Sequence, residues 1–374
     1  MEKTELVYIG LGSNEGDRLA NLQKAVDLIF RKVGHVVSLS RVYNTKAEGF
    51  EGDHFLNACV LVESIHKPNE VLEFLLHIES SMGRQRREEE GYASRPIDLD
   101  ILFYGNQILE KDGLTIPHPR LHEREFVLKP LMDISEEFVH PVKQESLQYL
   151  FGNLTSSKGF SALEEALVNP ISRYQLSFNY ITIEGNIGAG KTTLANKISK
   201  DFNARLLLYP YADNPFLAKF YEDPKRYAFA LEMSFLAERY QQISEDLAQL
   251  DLFSDFVVSD YDIFKSLIFS KITLTEDEFR LYRKLFYLMY KDIVRPDLYV
   301  FLKQNTERLQ ENIMKRGREY EQGIEDNYLS KINSGYLEFL KNHPDLNVKV
   351  IDISDKDFVT NREDYVEILE YIFD

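Results

Sequence analysis

Two aspartates separated by one residue, Asp98 and Asp100 in RPIDLDILFYG, are the first residues of this chain whose spacing could do chemistry. On an extended segment side chains alternate between faces, so both carboxylates share one face while Ile97, Leu99 and Ile101 take the other. Like charges held this close call for a cation. Mg²⁺ prefers such hard oxygens and keeps positions open for phosphate oxygens; an exposed polar strand edge is the plainer alternative. Just upstream, GRQRREEEGYASR supplies Arg84, Arg86, Arg87 and Arg95, guanidiniums suited to a triphosphate or, equally, to a solvated loop.

A second signal stands at 185–193, where GNIGAGKTT satisfies G-x-x-x-x-G-K-[ST]. Gly185, Asn186, Ile187, Gly188, Ala189 and Gly190 turn backbone N–H groups toward a phosphate, and Lys191 reaches for its outer oxygens. Thr192, with Thr193 beside it, opens a helix whose positive end favours anions, and the Thr192 hydroxyl suits Mg²⁺. The run Tyr180–Ile183 ahead reads as a strand and TLANKISKDF behind as a helix, the context such a loop requires.

These residues need two scaffolds. A phosphate loop joins the first strand and first helix of its own α/β domain, so the residues upstream of it form another. Upstream, the apolar pattern predicts strand 6–11, helix 17–32, strands 36–44 and 55–63, helix 69–82 and strand 97–104. That order, β-α-β-β-α-β, predicts an α+β ferredoxin-like sheet with helices on one face. Downstream, strands at 180–183, 205–209, 256–259, 298–302 and 348–353 alternate with long helices, which predicts an α/β P-loop domain with a mostly parallel sheet. The stretch FGNLTSSKGFSALEEALVNP at 151–170 reads as the boundary, giving domains over 1–155 and 176–374 with a linker over 156–175.

Composition narrows the class. The 374 residues, 44% apolar and 13% aromatic, can fill two cores. Both halves are acidic, −7 over residues 1–160 and −10 over 161–374, which argues against nucleic acid or an anionic membrane as a partner. A lone cysteine, Cys59, excludes an intrachain disulfide, no apolar run is long enough to span a membrane, and no signal-peptide pattern opens the chain, so a cytoplasmic enzyme is expected.

The ordered motifs IGLGSNEGDR (9–18), FLNACVLVE (55–63), IESSMGRQR (78–86), RPIDLDILFYG (95–105) and IPHPRLHEREFVLKPL (116–131) make residues 1–150 resemble 6-hydroxymethyl-7,8-dihydropterin pyrophosphokinases of folate biosynthesis. The resemblance implies transfer of the β,γ-pyrophosphoryl unit of ATP to the pterin hydroxymethyl group, with release of AMP. It implies that Asp98 and Asp100 hold two Mg²⁺ ions, and that Phe55 and Phe126 sandwich the pterin. Asn57 and Thr45 would meet the pterin's polar edge, with Arg124 beside the wall. Arg84 and Arg95 would meet phosphate charge, and His118 the ATP. The loop EEEGYASR departs from the tryptophan-containing loop of many members.

From DNPFLAKFYEDPKRYAFALEMSFLAERYQQ (213–242) and KRGREYEQ (315–322), residues 176–374 resemble the deoxynucleoside kinases. The implied reaction moves the γ-phosphate of ATP to a deoxynucleoside 5′-hydroxyl, with Arg316 and Arg318 neutralising the migrating group. Asp260 would hold Mg²⁺ through water, and Glu232 stands where the family reads the base with glutamine, its acceptor-only carboxylate suiting guanine. Two positions depart from the pattern: Tyr209 stands where an acidic proton acceptor is usual, and Tyr261 follows Asp260 where arginine is usual. A phenol is a poor base at neutral pH, so two readings of this half stay open, an active kinase or a catalytically weak nucleotide-binding or oligomerisation module. The implied partners are small molecules, ATP among them, and the implied assembly is a homodimer through the second half.

Overall fold

The computed structural model describes residues 3–46, 52–84, 94–111, 113–154, 160–210, 214–248, 254–291 and 293–373; Arg86 and Arg87 lie outside the described residues. The chain divides into two compact units, Met1–Tyr174 and Gln175–Asp374.

The first unit runs β1 (Glu5–Ser13), α1 (Arg18–Lys32), β2 (His35–Leu39), β3 (Tyr43–Thr45), β4 (Phe55–Ser64), α2 (Pro68–Ser81), β5 (Asp98–Tyr104), β6 (Leu109–Lys111), β7 (Leu114–Ile116), α3 (Glu125–Ser135), α4 (Leu147–Gly152) and β8 (Ser161–Ala162). The main sheet has the order β5-β1-β4-β3-β8, with β2 also on β4, and its pairs are antiparallel. Where the pattern predicts one strand over 36–44, the chain forms two. A register shift opens at Val36/Ser38, and Ser40 then leaves the ladder to bond Cys59 through both its backbone N–H and its hydroxyl. α1 starts where the Asp17 carboxylate accepts the Ala20 N–H (3.1 Å), and it buries Leu22, Ala25, Val26, Ile29 and Phe30, the spacing of one helical face.

Helices cover both faces of this sheet, a correction to the one-faced arrangement. Tyr8, Cys59 and Leu61 pack with Leu128 and Leu131 of α3 and Leu147 and Leu150 of α4. Alternation turns Val7 and Ile9 the other way, toward the side taken by α1 and α2. The reason lies in residues past the last predicted strand, which fold into two further helices and leave nearly every position of β4 buried.

The predicted linker is also revised. Its described part, residues 160–174, lies along the first unit: β8 pairs with β3, Val168 N–H donates to Gln23 Oε1 (2.8 Å), Asn169 Nδ2 donates to the Val36 carbonyl (2.8 Å), and Arg173 meets Asp27 (3.0 Å). Ser, Asn and Pro read as loop residues by composition, but here they cap and extend a sheet edge.

The second unit runs β9 (Tyr180–Gly185), α5 (Lys191–Asp201), β10 (Arg205–Leu207), α6 (Leu217–Glu222), α7 (Pro224–Ala248), β11 (Val257–Ser259), α8 (Phe264–Thr273), α9 (Glu276–Tyr290), β12 (Leu298–Lys303), α10 (Thr306–Arg316), α11 (Asp326–Asn342), β13 (Val348–Asp352) and α12 (Arg362–Phe373). Its five strands are all parallel in the order β10-β11-β9-β12-β13, and central β9 is buried along its whole length, as a doubly covered sheet requires. Among the described residues no helix is long and apolar enough to cross a membrane.

Candidate active sites

In the first unit, Asp98 pairs in register with Gly12 and Asp100 with Gly10, so both carboxylates face positions of β1 that have no side chain. A Cβ at Gly12 would come within 3.2 Å of Asn57 Oδ1 and 3.7 Å of the Phe55 ring, so glycine keeps this floor open. Over it lies a cleft of about 710 Å³, open to solvent and lined by Thr45, Phe55, Asn57, Arg95, Asp98, Asp100, Arg124 and Phe126. The structure therefore brings together residues that are up to about eighty apart in the sequence. Asn57 Nδ2 donates to Thr45 Oγ1 (2.8 Å), fixing which edge of each polar group is left for a ligand. The Arg95 guanidinium lies 5.8 Å from the Phe55 ring centre and 3.2 Å from Asp98, and that of Arg124 lies 5.6 Å from the Phe126 ring centre, so cation and aromatic wall alternate around the opening.

Arg84 and His118 stand off the cleft wall. Arg84 bonds both Asp98 Oδ1 (2.5 Å) and Glu79, and Glu79 also accepts the Leu99 N–H (2.8 Å). Buried Glu79 thus ties α2 to the aspartate strand, a role sequence reasoning missed; the signal was an acid on the same helix face as Leu75 and Ile78. His118 donates its backbone N–H to the Leu102 carbonyl (3.0 Å), and burial, with Arg124 nearby, pushes its imidazole down to about 4, so it is neutral at pH 7. Burial, then the Asp98 and Glu79 charges, pushes Asp100 up to about 6. Two hard-oxygen donors carrying that ionisation cost fit a divalent cation of the Mg²⁺ type, which would relieve it.

In the second unit the site gathers past the C-terminal ends of three adjacent strands: the phosphate loop after β9, Tyr209 after β10 and Asp260 after β11. Gly188 and Gly190 take φ of 83° and 82°, the left-handed region open to glycine, and a Cβ at Gly190 would lie 2.7 Å from the Phe358 ring. Asp260 accepts from the Thr192 hydroxyl and, on its other oxygen, from the Tyr209 N–H (3.3 Å). Lys191 Nζ donates to the Asn186 carbonyl (2.7 Å), and burial with Lys265 nearby pushes it down to about 7. The Asn186 side chain is spent on the Leu329 carbonyl and Asn333, a structural use rather than a ligand contact.

Two cavities meet here. One, about 1780 Å³, runs over the phosphate loop past Lys315, Arg316 and Arg318. The other, about 900 Å³, is walled by Tyr221, Phe235, Phe269 and Tyr328, with Glu232 and Arg239 inside it. Glu232 is buried; one oxygen accepts from Thr273 (2.9 Å), the other has no partner, and burial, opposed by Arg239, pushes it up to about 7. Arg239, which the sequence reading did not single out, is buried 4.9 Å from the Tyr209 ring centre and donates to Ser266 (2.7 Å). Its signal was its place seven residues after Glu232, two turns along one face of α7. Arg316 and Arg318 both meet buried Glu321, which draws the two guanidiniums together.

An acidic strand pair under a cation-and-aromatic cleft, and a phosphate loop opening beside an aromatic pocket, define two nucleotide-dependent transferases on one chain. Residues 181–374 match the family model described as deoxynucleoside kinase, and residues 8–136 match that of 7,8-dihydro-6-hydroxymethylpterin-pyrophosphokinase. The chain belongs to the deoxynucleoside kinase family through its second unit and to the pterin pyrophosphokinase family through its first. It is similar to a deoxyguanosine kinase of Bacillus subtilis, 36% identical over 197 residues that span 52% of this chain and 95% of that protein. It is also similar to a 2-amino-4-hydroxy-6-hydroxymethyldihydropteridine pyrophosphokinase of Porphyromonas gingivalis, 40% identical over 139 residues, 36% of this chain and 94% of that one. A folic acid synthesis protein of Pneumocystis carinii is 42% identical over 148 residues, 39% of this chain, and the match spans only 20% of its length.

Proposed function

We propose that the first unit transfers the pyrophosphoryl group of ATP to 6-hydroxymethyl-7,8-dihydropterin and releases AMP, while the second transfers the γ-phosphate to the 5′-hydroxyl of a deoxynucleoside and releases ADP. The observation that carries the first reading is the placement of Asp98 and Asp100 over Gly10 and Gly12, at the edge of the cleft bearing Phe55, Phe126 and the arginines. Mg²⁺, two ions in this proposal, would be held by Asp98 and Asp100; when bound it supplies charge neutralisation on the phosphate oxygens. Phe55 and Phe126 stack the pterin, Asn57 and Thr45 meet its polar edge, and Arg84 and Arg95 orient Asp98 and take up phosphate charge. His118, neutral and off the wall, is proposed as an ATP contact. The strand order β5-β1-β4-β2 within the sheet supports the ferredoxin-like assignment.

In the second unit the phosphate loop and Lys191 hold the outer phosphates of ATP, Arg316 and Arg318 cover them, and Thr192 with Asp260 holds Mg²⁺. Glu232 reads the base. Its unpartnered oxygen favours a base with adjacent donors, and the similarity to a deoxyguanosine kinase supports guanine. A homodimer through this unit is supported by exposed Leu281, Tyr287 and Leu288 on α9, and a cytoplasmic setting by the single, free Cys59. The test is ATP turnover against hydroxymethyldihydropterin and the four deoxynucleosides, with AMP and ADP resolved. AMP with the pterin and ADP with deoxyguanosine are expected; no ADP with any of the four deoxynucleosides would sink the second half of the proposal.

A further inference from the structure

Gly188, Lys191, Thr192, Tyr209, Asp260 and Arg316 line both cavities of the second unit. This shared wall is where an acceptor hydroxyl from the aromatic pocket meets a phosphoryl group from the phosphate loop. Whatever receives the hydroxyl's proton must stand here. Lys191 and Arg316 are cations, and the Thr192 hydroxyl is donated to Asp260. Asp260 accepts from Thr192 and from the Tyr209 N–H, and in the proposed function it holds Mg²⁺, whose charge would make it a poor proton acceptor. Tyr209 remains.

We propose that Tyr209 and Glu238 form a proton relay in which the Tyr209 phenolic oxygen takes the substrate hydroxyl's proton while its own proton passes to Glu238. The proposal rests on the deoxynucleoside kinase reading of this unit. The Tyr209 hydroxyl already donates to Glu238 Oε2, so its oxygen offers its lone pairs to a donor in the site. The other oxygen of Glu238 accepts from Ser234 (2.8 Å), one turn earlier on α7, and from buried Asn214 (3.2 Å), which also donates to Ser234 (2.8 Å). Two donors therefore hold the carboxylate against the phenol, and the same side chain is exposed, with a route for the proton to water. The other groups facing the phenol are the Arg239 guanidinium, 4.9 Å from the ring centre, and the Tyr261 ring at 5.4 Å. Burial, then the bond to Glu238, pushes the Tyr209 phenol up, so the resting residue is neutral rather than a phenolate.

The step balances. As the substrate oxygen bonds to the γ-phosphorus, its proton moves to the Tyr209 oxygen, the Tyr209 proton moves to Glu238, and the bond to the bridging oxygen breaks with its electron pair leaving on ADP. Tyr209 is a neutral phenol before and after, and Glu238 returns the proton to solvent. A tyrosine too weak to act alone thereby transmits the basicity of a carboxylate it touches. Tyr209 contacts the substrate; Glu238 acts through it as a positioning residue and final acceptor.

The test uses the full chain with ATP and deoxyguanosine, following ADP. Glu238→Gln is expected to lower kcat about a hundredfold with KM within about twofold of wild type. Glu238→Asp should restore part of the rate, and Tyr209→Phe should match Glu238→Gln, with the double variant no slower than either single. An unchanged kcat in Glu238→Gln overturns the relay, and a large gain in Tyr209→Glu alongside it identifies Tyr209 as a simple block. No ADP from the wild type with any deoxynucleoside overturns the kinase reading itself, and the relay with it.

Discussion

The two sites of this chain are built in opposite ways. In the first unit the proposed reacting carboxylates ride on one strand, opposite two glycines of its neighbour, so a single hydrogen-bonded ladder sets their spacing. In the second, the same kind of charge is assembled from a loop after β9, residues past β10 and β11, a face of α7 and the end of α10. A site carried by one ladder tolerates little loss because no other element supplies its charge. A site assembled from several elements can change one member and recruit another.

The sharpest break of that comparison is at the ladder. Asp98→Ala or Asp100→Ala should lower pterin-dependent AMP release by at least a hundredfold to a thousandfold, several kcal/mol of transition-state stabilisation. Circular dichroism should stay native, because both side chains only partly enter the core. AMP release within tenfold of wild type in either variant would remove the metal-site assignment.

That contrast also decides what could be read from the amino-acid sequence. Period-two spacing in DLD and the eight-position phosphate-loop motif are local, so both were legible, as were most strands of both sheets. Glu238 and Arg239 sit in an unremarkable polar stretch of a helix, and only packing brings them to Tyr209. Helices α3 and α4 escaped because they follow the last predicted strand of a pattern that looked finished, and Ser40 broke a predicted strand through a side-chain bond that no periodicity records. The segment 160–174 misled by composition: its loop-forming residues bond to α1 and the sheet edge.

The second break tests that segment. A fragment of residues 1–174 should fold and keep pterin-dependent AMP release, whereas one ending at 158 should be less stable by about 2–4 kcal/mol. The shorter fragment lacks β8, the Val168 and Asn169 bonds and the Arg173 contact, at about 0.5–1 kcal/mol for each hydrogen bond and less for the exposed ion pair. Urea midpoints of the two fragments measure this, and equal midpoints would show that the segment adds nothing. Lys191→Ala in the full chain should leave AMP release unchanged.

A third measurement separates charge strain from metal binding at the ladder. Asp100 sits at about 6 in the folded state, above its ordinary 3.8, so its ionised form costs stability. That cost is absent below about pH 4, grows through the window up to about 6, and is complete above it. The metal-free first unit should therefore melt progressively earlier as pH rises through this range, and Asp100→Asn should melt a few degrees later than wild type at pH 7. Added Mg²⁺ with nucleotide should raise the wild-type midpoint and not that of the variant. A wild-type midpoint indifferent to Mg²⁺ would count against a cation at this pair.

The smallest effect sharpens the other side of the comparison, the proposed base-reading residue on α7. Glu232 sits at about 7, raised by burial and opposed by Arg239, so about one in ten is ionised at pH 6 and about nine in ten at pH 8. Only the ionised form offers acceptors alone to the adjacent donors of guanine; the neutral form carries a hydroxyl that must point somewhere. The KM for deoxyguanosine at saturating ATP should therefore fall by up to about tenfold from pH 6 to pH 8. Lys191 also titrates near 7, but it faces the phosphates, and Glu232→Gln separates the two. That variant should have a KM flat with pH and should lose its preference for guanine over adenine and cytosine, since an amide pairs a donor with an acceptor. A KM that is already flat in the wild type would mean that Glu232 is a buried partner of Arg239 and reads no base.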